Sequence, residues 1–336
     1  MKFFLSTLVV LLFAAICYAQ DPAKQIAAAT TDLEKQLLKA SISTELKQQC
    51  ANDIAEARAN LKRDFVLLSL YNLRTCQLEL ASRAFAAART NIKTNNEFEQ
   101  QWQQLNAQLA EREKLLFQPT RKPVPAILTA LTQLSQIEIR EFQQTSRQAV
   151  ANNNIAEGLY LLGHVPANLD FATFARSLHL PAPKTAATFR SLAPELTKLE
   201  AAALRTFKSA DKNSQPQFER LKASLKSANE LNSASLYEGA LLKYLESELY
   251  FGLIITSAEK EDLEHLQGRA DEAERPPPTG KVDHSIAALF AQMAQASLKP
   301  AAGGMPTQAQ IKQAVVILNL VLPSYYEYRK VSTVTR

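Results

Sequence analysis

The sequence predicts an all-α protein of stacked antiparallel helical hairpins, an α-solenoid-like superhelical array or a large helical bundle. Three observations carry this. Glycine occurs only eight times in 336 residues, and a β-rich fold needs far more turn glycine. Ala, Leu, Gln, Glu and Lys dominate, residue types that lose little entropy in a helix. Apolar residues recur at helical spacing along nearly the whole chain, and prolines stand at the joints.

Met1–Ala19 reads as a secretory leader. Lys2 is its one early charge, Leu8 to Ile16 its apolar run, and Cys17-Tyr18-Ala19 its small-residue end. The stretch is too short and wrongly flanked for a permanent membrane span. Cleavage near Ala19 leaves a mature chain from Gln20 that is secreted or periplasmic. Ile16 stands where a lipidated cysteine wants a small neighbour, so Cys17 belongs to the leader.

Helices are expected over Thr31–Ile42, Thr44–Ala59, Phe65–Thr90, Asn96–Leu116, Ala126–Val150 and Ile155–Leu178. More follow over Thr185–Ser209, Gln217–Ser227, Ser233–Ala258, Asp283–Leu298 and Gln308–Leu322. Residues 20–267 form the helical-hairpin array. Residues 268–282, charged and rich in proline (Pro276–Pro278), read as an exposed linker. Residues 283–336 hold a final helix pair packed on the array. The run Ala314–Leu322 is apolar all round and so belongs in a core.

The mature chain keeps two cysteines, Cys50 and Cys76. In an oxidising compartment they are a candidate disulfide. One straight helix would hold them ~39 Å apart, beyond bridging. A reversal near Asn60–Asp64 brings them level to within ~3 Å along a hairpin axis. Such a bridge is worth on the order of 3.5 kcal/mol.

Ala151-Asn152 before Leu159-Tyr160 repeats at identical spacing as Ala228-Asn229 before Leu236-Tyr237. Ala59-Asn60 before Leu70-Tyr71 has three residues more. Offsets of about 89 and 77 suggest an internal repeat of helical hairpins. Within the second block, Leu159, Leu162-Gly163, Ala175 and Ala182 resemble part of the tetratricopeptide pattern. Pro166 departs from that pattern, and its 34-residue period is missing. The resemblance implies a concave face that binds peptides or proteins.

The net charge is +5, and +4 without Lys2. With no dense Lys/Arg block, nucleic-acid binding is not expected. No cofactor motif stands out: H-E-x-x-H, C-x-x-C-H, the nucleophile elbow, the Walker loop and the dinucleotide fingerprint are all missing. Glu261, Glu264 and His265 with Asp283-His284 make the best metal-like cluster. Glu246 and Glu248, beside Leu249-Tyr250-Phe251, are the best carboxylates for hydrolysis, because an apolar wall raises a carboxyl pKa. Trp102, Tyr160, Tyr237, Tyr325 and Tyr326 are candidate interface aromatics. The leading expectation is an exported, non-enzymatic scaffold binding a protein or peptide in the cell envelope. The alternatives are an envelope hydrolase on a helical superhelix and a helical-bundle binder of a metal or small ligand.

Overall fold

The computed structural model describes residues 21–40, 42–118, 123–181, 188–207, 214–256, 262–275, 283–300 and 303–334. The expected leader, Glu261 and the linker's proline run lie outside these residues. Every regular element described is helical. In chain order they are α1 (Pro22–Lys39), α2 (Thr44–Leu61), α3 (Val66–Ala87), α4 (Asn95–Leu116) and α5 (Ala126–Ala151). Then come α6 (Ile155–Ser177), α7 (Ala193–Phe207), α8 (Gln215–Ser233), α9 (Tyr237–Ile255) and α10 (Leu263–Glu274). The chain closes with α11 (Ser285–Leu298), α12 (Gln308–Val316), a π-helical segment (Ile317–Val321) and α13 (Leu322–Val334). None of these helices is long and apolar enough to cross a membrane.

Three hairpins, α2–α3, α5–α6 and α8–α9, form the frame. Their turns are built alike. Asp64, Asn153 and Ser235 sit in the left-handed region, with φ of 63°, 61° and 60°. Each donates its amide three residues back, to the carbonyls of Leu61, Val150 and Asn232. The next residue donates to Asn60, Ala149 or Leu231. This is the Schellman pattern, which satisfies the orphan carbonyls of a helix end and reverses the chain. The reversal expected near Asn60–Asp64 is therefore present.

The first two hairpins share their turn geometry at the spacing read from sequence. Asp64 and Asn153 are 89 positions apart, and Tyr71 and Tyr160 stand at the same place after them. The third hairpin corrects that reading. Ser235 is the structural counterpart of Asn153, so the offset is 82 rather than 77. Tyr237 opens α9 instead of sitting two turns into it.

Helix α3 packs on α6, and α5 on α9. The order across the array is thus α2, α3, α6, α5, α9, α8, with α1 against α2 and α3 and α4 over α5 and α6. One continuous core joins the hairpins to α10, α11, α12 and α13. A second apolar cluster under α4 holds Phe98, Leu105 and Leu109.

Helices α3, α5 and α9 are among those that start without a side-chain cap of their own, and other elements supply it. The N-terminal amide of Leu68 in α3 donates to Gln292 Oε1 of α11 (3.1 Å). Ala126 and Ile127 of α5 donate to Asp283 Oδ2 (2.6 Å) and Ser285 Oγ (3.0 Å). Gly239 of α9 donates to Gln133 Oε1 of α5 (2.7 Å). The C-terminal helices are docked on the array by two of these caps. Arg63 returns the favour at the end of α11, donating to the carbonyls of Gln295 and Lys299.

Several boundaries need correction. Helix α8 runs past Ser227 to Ser233, and α7 starts only at Ala193. Asp21 accepts the amide of Ala23 and Pro22 fits the first turn, so α1 begins well before Thr31. Residues 268–274, expected in an exposed linker, continue α10, whose Leu266 and Ala270 are fully buried. Pro323 does not end the last helix. The π segment lets Leu322 donate to Ile317, five residues back, and the helix resumes as α13.

Candidate functional site

Helix α6 is held very close to both its neighbours. A Cβ on Gly163 would lie 2.8 Å from the carbonyl oxygen of Ser82 on α3. The Ser82 hydroxyl donates to the Tyr160 carbonyl across the same crossing. On the other side, a Cβ on Gly158 would strike Val150 of α5. Both crossings lie on the first half of α6. There an open depression of about 460 Å³ forms between the end of α3, the following loop and the start of α6. Ala86, Ala87, Ile92, Ile155, Ala156 and Leu159 supply its apolar wall, and Thr90 and Lys93 its polar rim. Alanine at three wall positions leaves the space open. Ile155 and Ala156 are the first residues of α6, so the positive end of that helix borders the depression.

Below the crossing runs a polar seam that ties the three hairpins together. Tyr160 donates to Glu79 Oε1 on α3 (2.7 Å), and burial pushes its phenol up to about 12. His164 is buried, stacks on Phe142 of α5 at 4.3 Å, and lies 4.0 Å from Glu79, too far for a hydrogen bond. Burial lowers the His164 pKa, so the ring is neutral at pH 7. Arg74 of α3 donates to Glu138 of α5 (2.7 Å) and Asn168 of α6 (3.1 Å). Farther along, Tyr71 donates to Glu246 of α9 (2.7 Å), which also takes Lys243 (2.7 Å). Three buried atoms of the seam, Arg74 Nε, Glu79 Oε2 and His164 Nδ1, have no hydrogen-bond partner.

Glu246 and Glu248 leave α9 in different directions and do not form a carboxylate pair. Glu246 belongs to the seam. Glu248 accepts Tyr244 (2.6 Å) and Ser324 at the start of α13 (2.9 Å), and its Oε2 is buried without a partner. Burial raises its pKa to about 7, against the pull of those two hydroxyls.

The five aromatics singled out from sequence do not converge. Trp102 donates to the Gln143 carbonyl of α5 (3.1 Å) under Arg147. Tyr160 is part of the seam, and Tyr237 reaches only Ser235, at 3.4 Å. Tyr325 is a core residue, 3 % exposed, donating to the Asp283 carbonyl. Tyr326 stacks on His284. Among the described residues, no trio of His, Cys, Asp or Glu is placed to hold a metal. His265 is exposed, whereas His284 is bound to the Ala273 carbonyl, so the two do not meet. Asp283 caps α5.

Cys50 and Cys76 do meet. Both are buried free thiols, set opposite each other by the register of the α2–α3 hairpin. The bridge expected from sequence is not formed in the structure.

No protein-family model, curated protein or solved structure matches the chain. The seam residues Arg74, Glu79, Glu138 and His164 escaped the sequence reading because single polar residues in helices read as solvated. The wall of the depression carried only one faint signal, the cluster of alanines around Phe85.

Proposed function

We infer that this chain is an exported, non-enzymatic helical scaffold that binds a peptide segment of a protein partner. The observation that carries the reading is the open apolar depression between the first two hairpins. Its volume suits one or two apolar side chains, and Lys93 with the start of α6 favours an acidic flank. The titratable groups of the seam are engaged between helices, which suits a rigid support. Export and an oxidised Cys50–Cys76 pair belong to the same reading.

Selection of random peptides on the immobilised protein tests it. Enriched peptides should share an apolar anchor beside Asp or Glu. Ala87→Trp should abolish their binding while leaving the melting temperature unchanged. Unaltered binding by that variant would remove the depression from the mechanism. N-terminal sequencing of protein from the culture medium or periplasm should begin near Gln20.

A second reading, an envelope hydrolase, draws on Glu248, whose carboxyl is half-protonated near neutrality. It predicts glycan turnover that Glu248→Gln abolishes.

A further inference from the structure

Cys50 lies about three turns before the α2–α3 reversal and Cys76 almost three turns after it. The hairpin register between them is fixed by side chains. Ser69 Oγ donates to the Ala57 carbonyl (3.0 Å), and Asn72 faces Glu56 (3.5 Å). That register sets the two cysteines opposite each other, and both are sealed at 1 % and 0 % exposure. Helix α1 packs against both α2 and α3. It is held by buried Ile26, Leu33 and Leu37 and by the paired Arg58–Glu34 contact.

We propose that Cys50 and Cys76 are a thiol-oxidation site that closes only while α1 is undocked. The resulting disulfide clamps α3, the helix that carries the contacts to the other hairpins. Cys76 stands two residues after Arg74, five after Tyr71 and three before Glu79. These three side chains bind α5 and α6, α9, and α6 respectively. A bond at Cys76 therefore restrains the whole seam rather than one hairpin.

The chemistry is a thiol–disulfide exchange with a small or protein-borne disulfide as oxidant. The thiolate of one cysteine attacks a donor sulfur and expels one donor thiolate. The second cysteine, deprotonated, attacks the resulting mixed disulfide and expels the other. The protein loses two electrons and two protons, and the donor leaves as two thiols. Either cysteine makes the first attack, as its thiolate. Asp53 and Glu79 oppose that charge, so the exchange is slow until the site opens.

The site rests on the hairpin geometry, and only its use in the cell rests on the export reading above. Purified, reduced protein is incubated with oxidised glutathione and followed by intact mass and peptide mapping. The expected product has lost two hydrogens and links Cys50 to Cys76. Its bridge should resist reductant until the protein is unfolded. Leu33→Ala, which loosens α1, should speed closure by about tenfold. Stable glutathione adducts on separate cysteines, or two titratable thiols after unfolding, would overturn the site. Equal rates in Leu33→Ala and the parent would overturn the gating by α1. Protein that closes the bridge in vitro but is recovered fully reduced from cells would count against export alone.

Discussion

The joint between the first and second hairpins and the joint between the second and third are built from different chemistry. The first, α3 on α6 and α5, gathers half-buried Arg74, Glu138 and Glu79 around buried His164 and leaves three of their buried polar atoms without a hydrogen bond. The second, α5 on α9, relies on a neutral amide. Gln133 accepts from Gly239 and donates to Glu238 (2.8 Å). One hairpin unit is thus joined to its neighbours in two ways. The charged joint is costly to break and sensitive to protons. The amide joint is a helix cap supplied from a distance.

Breaking the charged joint should have the largest effect. Arg74→Met leaves Glu138 facing a mostly buried site and should destabilise by about 3 kcal/mol in urea unfolding. Adding Glu138→Gln should recover part of that loss.

Glu248 tests whether the α9–α13 contact behaves like a third, proton-linked joint. Its folded pKa is raised to about 7 from an ordinary 4.5. The stability it contributes is full below 4.5 and is lost as pH rises through 7. Glu248→Gln does not titrate, so at pH 8 it should be more stable than the parent by about 2 kcal/mol. At pH 4 the two should be equal in thermal melts.

Gln133→Leu removes the cap of α9 and should cost about 1 kcal/mol, to the same extent at pH 5 and pH 7.5. The charged joint differs here. The lowered pKa of His164 means that its contribution is present above 6.5 and is lost as pH falls through the folded value. Stability of the parent should fall on that acid limb, and less steeply in His164→Phe. The smallest effect belongs to Arg112–Asp170, an exposed pair at 2.6 Å with side chains 46 % and 60 % accessible. Asp170→Asn should shift stability by less than about 0.5 kcal/mol.

The local half of this design was legible in the sequence. Composition gave the helical class, Asn60 and Asp64 marked the first reversal, and the matching tyrosines set its spacing to the second. The long-range half was not. Helices α3, α5 and α9 carry no capping residue at their starts, because Gln292, Asp283 and Gln133 stand far away in the chain. Helix α10 was hidden by Gly268 and its charges, although Leu263, Leu266 and Ala270 keep helical spacing. Helix α13 was hidden because Pro323 reads as a stop unless a π turn precedes it. The depression could not be foreseen, since its wall joins Ala86 and Ala87 to Ile155, Ala156 and Leu159 from a distant part of the chain.

The three left-handed turn residues have a practical side. Glycine stands at the helix crossings, at Gly158, Gly163 and Gly252, where a side chain would collide. The turns instead use Asp64, Asn153 and Ser235 in a conformation that favours glycine. Glycine at Ser235, the residue least suited to that conformation, would raise the melting temperature without touching the depression or the seam. The fold therefore carries an unused stability reserve, against which risky substitutions elsewhere can be balanced.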